Sequence, residues 1–181
     1  TVADGVPILV TASTTANVTC FGGNNGSATV TASGGAPPLN YSWSTSPAKT
    51  TASVTGLTAG TYTVTITDNK GCTKTDAATI TQPPAVSVVV TPSPSATLCS
   101  GDATSLTAIG ANTYVWTPSA TLSSGTGTTV TASPVSSTTY TVTGTDGTGC
   151  TGITSVVVTV NTSPTVSAAP ATICSGNYAV L

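Results

Sequence analysis

The sequence predicts an all-β protein built as a tandem array of small β-sandwich modules, each closed by one disulfide. Three observations carry this. Residues 61–72, TYTVTITDNKGC, return at residues 139–150 as TYTVTGTDGTGC, each with a Tyr ten positions before a Cys. Within both copies Thr alternates with apolar residues, the period of a half-buried strand, and an Asp followed by Asn or Gly marks a tight turn. The cysteines recur at near-equal spacing, with Cys72 following Cys20 by 52 residues and Cys150 following Cys99 by 51.

The first module, expected over residues 1–83 with its core in 18–83, opens on a β-prone run, Val6-Pro-Ile-Leu-Val10. Cys20 then leads into Phe21-Gly-Gly-Asn-Asn-Gly26, rich in residues that tolerate positive φ, so the chain reverses there. Residues 27–33 alternate, with Ala28, Val30 and Ala32 on one face. Leu39, Tyr41 and Trp43 share the next inward face, and Trp43, the largest apolar group of the module, is expected at the core centre. Tyr62, Val64 and Ile66 point inward from the repeated stretch, and Cys72 opens the last strand.

Gln82-Pro-Pro84 is the boundary, and its paired prolines stiffen the connection. The second module is expected over residues 85–161, beginning at Val86, Val88 and Val90, with Tyr114-Val-Trp116 matching Tyr41-Ser-Trp43. Residues 117–134 exceed their counterpart in length, which predicts an extended loop or an extra edge hairpin. Residues 163–181 read as the start of a third, incomplete module, because Ala171-Thr-Ile-Cys174-Ser-Gly176 copies Ala96-Thr-Leu-Cys99-Ser-Gly101.

The spacing pairs Cys20 with Cys72 and Cys99 with Cys150, and leaves Cys174 unpaired in this chain. Closing a loop of about 50 residues would stabilise a module by roughly 4 kcal/mol on the chain-entropy model, a large share of a small domain's stability. Even cysteine spacing in a chain of modules this small points to an oxidising, extracellular setting.

Composition bounds the chemistry. The chain holds 43 Thr and 22 Ser against three Lys and five Asp, with no Arg, Glu, His or Met. Its surface is therefore covered by hydroxyls and nearly neutral, which favours association with like chains or neighbouring modules, or solubility through attached glycans. Asn17, Asn25, Asn40 and Asn161 head Asn-x-Ser/Thr sequons, and the abundant Thr and Ser offer O-linked sites. No basic footprint for nucleic acid is present, and no apolar run is long enough for a membrane span.

Without His or Glu, no Ser has a customary base, and the Asp residues are dispersed, so the chain is not expected to be an enzyme and no catalytic or cofactor-binding residue is assigned. Asp68 and Asp146 occupy equivalent turns and are the only candidate metal ligands, for calcium. Such turns form without metal, and clustered carboxylates are lacking, so no cofactor is expected.

The first module, with its VTCFGGNNGSATVTASGG opening, YSW centre and GLTAGTYTVTITDNKGCTKTDAATITQP close, resembles an SprB repeat, a module of large surface adhesins of gliding bacteria. The second resembles the immunoglobulin-like or PKD-like repeats that accompany it. The resemblance implies immunoglobulin-like sandwiches in a secreted cell-surface protein, exported by a type IX route, and brings no catalytic residues. The functional expectation is a structural and adhesive module array acting as rigid spacer and adhesion surface. Two alternatives stand beside it: a subunit of an extracellular filament assembled by strand addition or lateral packing, and a carbohydrate-binding appendage of a secreted enzyme, for which Phe21 and Tyr178 are the exposed aromatics.

Overall fold

The computed structural model describes residues 5–162. The expected third module and Cys174 and Tyr178 within it lie outside the described residues.

Two cores form, each between two sheets. The strands of the first are β1 (Leu9–Ala16), β2 (Gly26–Ser33), β3 (Asn40–Trp43), β4 (Ser53–Leu57), β5 (Gly60–Thr67) and β6 (Thr73–Ile80). One sheet has the order β1-β2-β4, the other β3-β5-β6. Period-two alternation turns Ala28 and Val30 of β2 toward Val64 and Ile66 of β5, and Trp43, Val54, Leu57 and Ile80 complete the buried cluster. Trp43 is 1 % exposed, and its indole N–H donates to the Thr51 carbonyl at 3.0 Å, so the largest side chain is buried with its one polar atom satisfied. Tyr62, expected in the core, is half-buried: its ring packs on the cluster edge and its hydroxyl lies 3.0 Å from that of Thr58.

The second module contains β7 (Val89–Ser93), β8 (Thr97–Cys99), β9 (Thr104–Ile109), β10 (Thr113–Thr117), β11 (Thr129–Ala132), β12 (Thr138–Thr145) and β13 (Thr151–Asn161). Its sheets have the orders β11-β9-β7 and β10-β12-β13-β8. Trp116 repeats the role of Trp43, donating to the Gly127 carbonyl at 2.9 Å, and Tyr140 is fully buried with its hydroxyl 2.6 Å from that of Thr121. The long middle segment covers sheet edges. The Trp116 amide bonds Gly125, extending β10, while Ser123 and Ser133 exchange backbone bonds with Thr131 and Thr121 beside β11.

One topological feature sets the positions of the cysteines. The first strand of each module leaves its own sheet and continues along the last strand of the other, running parallel to it. In the second module this second leg is β8, paired in parallel with β13 with Leu98 opposite Val160 and Cys99 opposite Asn161. In the first, the Val18 amide bonds the Thr81 carbonyl just past the end of β6. The architecture is an immunoglobulin-like sandwich, with an edge strand shared between the two sheets.

The two cores share no residue. Trp116→Ala is expected to cost the second module about 3–5 kcal/mol and to leave the first module's melting transition in place. Calorimetry resolving two transitions, of which one moves, is the check.

Candidate functional site

The parallel relation between first and last strands decides which cysteines can meet. Cys150 directly precedes β13, and Cys99 lies opposite Asn161 at its far end, 11 residues on. At about 3.3 Å per residue the two are roughly 35 Å apart, against Cα separations of about 4.4–6.8 Å across a disulfide. Cys72 likewise precedes β6, whereas Cys20 lies beyond the Val18–Thr81 bond past its other end, roughly 30 Å away by the same rise. The within-module pairs Cys20–Cys72 and Cys99–Cys150 are therefore not formed, and the expectation of one disulfide per module is corrected.

Cys20 is bonded instead to Cys150, with the Cα atoms 5.5 Å apart. The bond joins the exit end of the first module to the approach end of the second. Cys72 and Cys99 are exposed and have no partner among the described residues.

Each partner is held in a tight turn. The Gly23 amide donates to the Cys20 carbonyl at 3.0 Å, and Gly22 between them has a φ of 73°, the left-handed conformation that glycine adopts without steric cost. The Asn25 side chain brackets this loop through Thr19, accepting from its amide at 3.1 Å and donating to its hydroxyl at 2.8 Å. On the other side, the Cys150 amide donates to Asp146 Oδ1 at 2.9 Å, and the Asp146 amide returns a bond to the Cys150 carbonyl at 2.9 Å. The Thr148 amide and hydroxyl also donate to Oδ1, at 2.8 and 2.7 Å. Cys150 is 5 % exposed, and its sulfur lies 3.3 Å from the Thr19 carbonyl oxygen across the junction.

The connector runs beside the disulfide and is fastened at both ends. Where it leaves the first module, Gln82 Oε1 accepts from the Gly22 amide at 2.8 Å, and Asn17 Oδ1 accepts from the Thr81 amide at 2.8 Å. Where it reaches the second, the Val86 carbonyl packs on the backbone of Gly152, two residues after Cys150, in space that any side chain at that position would occupy. Sequence reasoning found the cysteines and the Gln82-Pro-Pro84 boundary but missed the fastening roles of Gln82 and Gly152. A lone Gly in a predicted strand is the recognised mark of close backbone approach and was the available signal for Gly152.

Asp68 and Asp146, the candidate calcium ligands, have the same role in equivalent turns. Asp68 is buried. Its Oδ2 accepts from the Ala36 amide at 3.1 Å, and its Oδ1 from Lys70 and Cys72 at 2.9 Å each. The Oδ1 of each carboxylate thus accepts from backbone N–H groups of its own turn, the arrangement of an Asx turn, while Asp68 Oδ2 also ties that turn to the loop at Ala36. No cluster of three or more His, Cys, Asp or Glu that could hold a metal occurs among the described residues. The Ala36 amide is the main cause that holds the Asp68 carboxyl below the ordinary carboxylate value, and the Thr148 hydroxyl is the main cause at Asp146; partial burial opposes both. Asp76 on β6 is lowered chiefly by the Ala12 amide, which it accepts at 2.8 Å, tying β1 to the last strand.

Neither Trp is available to a ligand, since Trp43 and Trp116 are each 1 % exposed. Phe21, beside Cys20, is 59 % exposed. Among the described residues, no helix is long and apolar enough to cross a membrane.

Residues 12–48 match the family model of the SprB repeat. That match takes in β1 from Ala12 onward, the Cys20 turn, β2 and Trp43. No curated protein sequence matches the chain. Among solved structures, the three N-terminal domains of the highly immunogenic outer capsid protein of bacteriophage RB49 align at 17% identity and a TM-score of 0.36, covering 86% of this chain and 59% of that one. The N-terminal eight Ig domains of Down Syndrome Cell Adhesion Molecule align at 13% identity and a TM-score of 0.38, covering 87% of this chain and 25% of that one. A marsupial T cell receptor aligns at 15% identity and a TM-score of 0.42, covering 92% of this chain and 75% of that one. The chain thus spans less than two thirds of the length of the first two.

Cys20→Ser is expected to leave both cores folded, because the disulfide crosses neither, and to free the junction. Far-UV circular dichroism should be unchanged, while limited proteolysis should cut faster within residues 82–88; a loss of β signal would contradict this. A second expectation concerns acid. Carboxyls whose folded pKa is depressed contribute stability that is complete above their unfolded value of about 3.9 and is lost as pH falls through the lower folded values. Melting temperature should therefore be flat in this respect from neutral pH down to about 5 and should fall below about pH 4. Replacing Asp68 and Asp146 with Ala should flatten that acid limb in pH-dependent melts.

Proposed function

We propose that the chain is a structural and adhesive segment of a secreted cell-surface protein, in which fixed spacing between modules is the main activity. The observation that carries this is the double connection between modules: a proline-containing connector pinned by Gln82 and Gly152, and the Cys20–Cys150 bond beside it. Two separate links across one junction oppose bending and twisting, motions that a single linker leaves open. The SprB-repeat match over residues 12–48 supports placement on a bacterial surface, and the disulfide supports an oxidising, extracellular location.

The rest of the molecule suits this role. The outer faces of the strands carry mainly Thr and Ser, with Val115, Ile153 and Val157 exposed among them, so the array presents chiefly hydroxyls at near-zero charge to its surroundings, a surface suited to glycan attachment and to close approach of like chains. Catalysis is not part of the proposal: the Asp carboxylates with the richest hydrogen bonding, Asp68 and Asp146, are committed to backbone N–H groups of their turns and, for Asp68, of the neighbouring loop at Ala36. Calcium has no part in it for the same reason, and millimolar calcium should leave the melting temperature unchanged.

Small-angle scattering tests the spacer reading. The oxidised chain should fit one inter-module arrangement, and Cys20→Ser should require a broad ensemble. An equally broad ensemble for both would remove the proposal. Beads coated with the oxidised chain should adhere to polysaccharide or glass surfaces above the level of uncoated beads, which separates the adhesive part of the reading from the spacer part.

A further inference from the structure

Cys72 and Cys99 repeat, at the two outer ends of the described pair of modules, the two halves of the bond that joins them inside. The correspondence is atomic. The Cys72 amide donates to Asp68 Oδ1 at 2.9 Å, and Cys150 makes the same bond to Asp146 at 2.9 Å. The Asp68 amide donates to the Cys72 carbonyl at 3.0 Å, as Asp146 does to Cys150 at 2.9 Å. Gly71 and Gly149, each preceding its Cys, have φ values of 82° and 88°. The other half matches as well. Asp102 donates to the Cys99 carbonyl at 3.1 Å, as Gly23 does to Cys20 at 3.0 Å, and Gly101 and Gly22 hold the same turn position with φ of 94° and 73°.

Position in the fold agrees with local geometry. Cys72 opens the last strand of the first module, facing a hollow lined by Val6, Pro7, Gly35 and Ala36, as Cys150 opens the last strand of the second. Cys99 lies at the end where the chain leaves the second module, as Cys20 does in the first. Both thiols are exposed and neither has a partner within the described residues. The roughly 30–35 Å between the two cysteines of a module, from the strand rise, excludes closure within it.

We propose that Cys99 and Cys72 are open halves of the same staple, and that Cys99 of one copy of this chain bonds Cys72 of a second copy stacked end to end, extending the internal junction into a directional covalent polymer. The chemistry is thiol–disulfide exchange with a small-molecule disulfide such as oxidised glutathione. The Cys99 thiolate attacks that disulfide and releases one glutathione thiolate; the Cys72 thiolate of the next copy attacks the Cys99 sulfur of the mixed disulfide and releases the second. Two protein thiols and one oxidised glutathione thus give one protein disulfide and two reduced glutathiones. This inference stands on the junction geometry and is independent of the surface role proposed above.

The test uses the full 181-residue chain with Cys174→Ser, so that the only thiols left free are those at issue. In a glutathione redox buffer the protein should run as a ladder on a non-reducing gel, and peptide mapping should find Cys99 joined to Cys72 with Cys20–Cys150 retained. Cys72→Ser and Cys99→Ser, both at exposed positions and checked for folding by their melts, should each abolish the ladder and remain monomeric. Mixing the two should restore a dimer and nothing larger, since only one complementary pair remains. Like-to-like Cys72–Cys72 or Cys99–Cys99 bonds, dimers in either variant alone, or thiols that stay open to alkylation after oxidation would each overturn the proposal.

Discussion

The parallel run of a module's first strand along its last is the constraint from which the rest follows. In the second module that run is the pairing of β8 with β13, and in the first it is the Val18–Thr81 bond past the end of β6. Because the strands run in the same direction, the start of the last strand is at the opposite end of the module from the finish of the first. A Cys at each of those points faces outward along the array, one forward and one back. The same residues in an antiparallel pair would face each other.

That arrangement changes what the disulfide does. A bond closing each module would strengthen the module against unfolding and leave the array free to bend. A bond between modules leaves each core to stand on its own packing, centred on Trp43 and on Trp116 with Tyr140, and applies its constraint where two small domains meet. Domains joined by one linker move relative to one another by default. Here the connector is seated on Gly152, fastened by Gln82, and accompanied by a covalent bond. The Asp146 turn serves this end too, because its carboxylate collects the backbone N–H groups that would otherwise leave the Cys150 loop loose, and Asp68 orders the turn before Cys72 in the same way.

Much of the fold was legible in the residues. Alternation in residues 27–33 and 61–67 identified β2 and β5, whose inward residues, apart from the half-buried Ala32 and Tyr62, lie in the core. The YSW and YVW segments located both central tryptophans, and the long middle of the second module proved to be an edge-covering segment. Tyr62 was misplaced because parity names the face of a strand but not the depth: it lies near the start of β5, and its hydroxyl reaches the Thr58 carbonyl. Gln82 left no signal, since a single Gln before two prolines reads as solvated connector until its amide partner, Gly22, is placed 60 residues away.

The sequence by itself determined the local objects: the strands, the Asp-to-Cys and Cys-to-Gly turns, the tandem repeat and the hydroxyl-covered, nearly neutral surface. These depend on period-two patterning, glycine's access to positive φ and composition, all of which act over a few residues or over the whole chain. Only the tertiary structure decided which cysteines meet. Equal spacing along the chain is satisfied by pairing within a module or between modules, and the choice depends on the relative direction of strands about 50 residues apart, a property of the assembled sheets that no local pattern encodes.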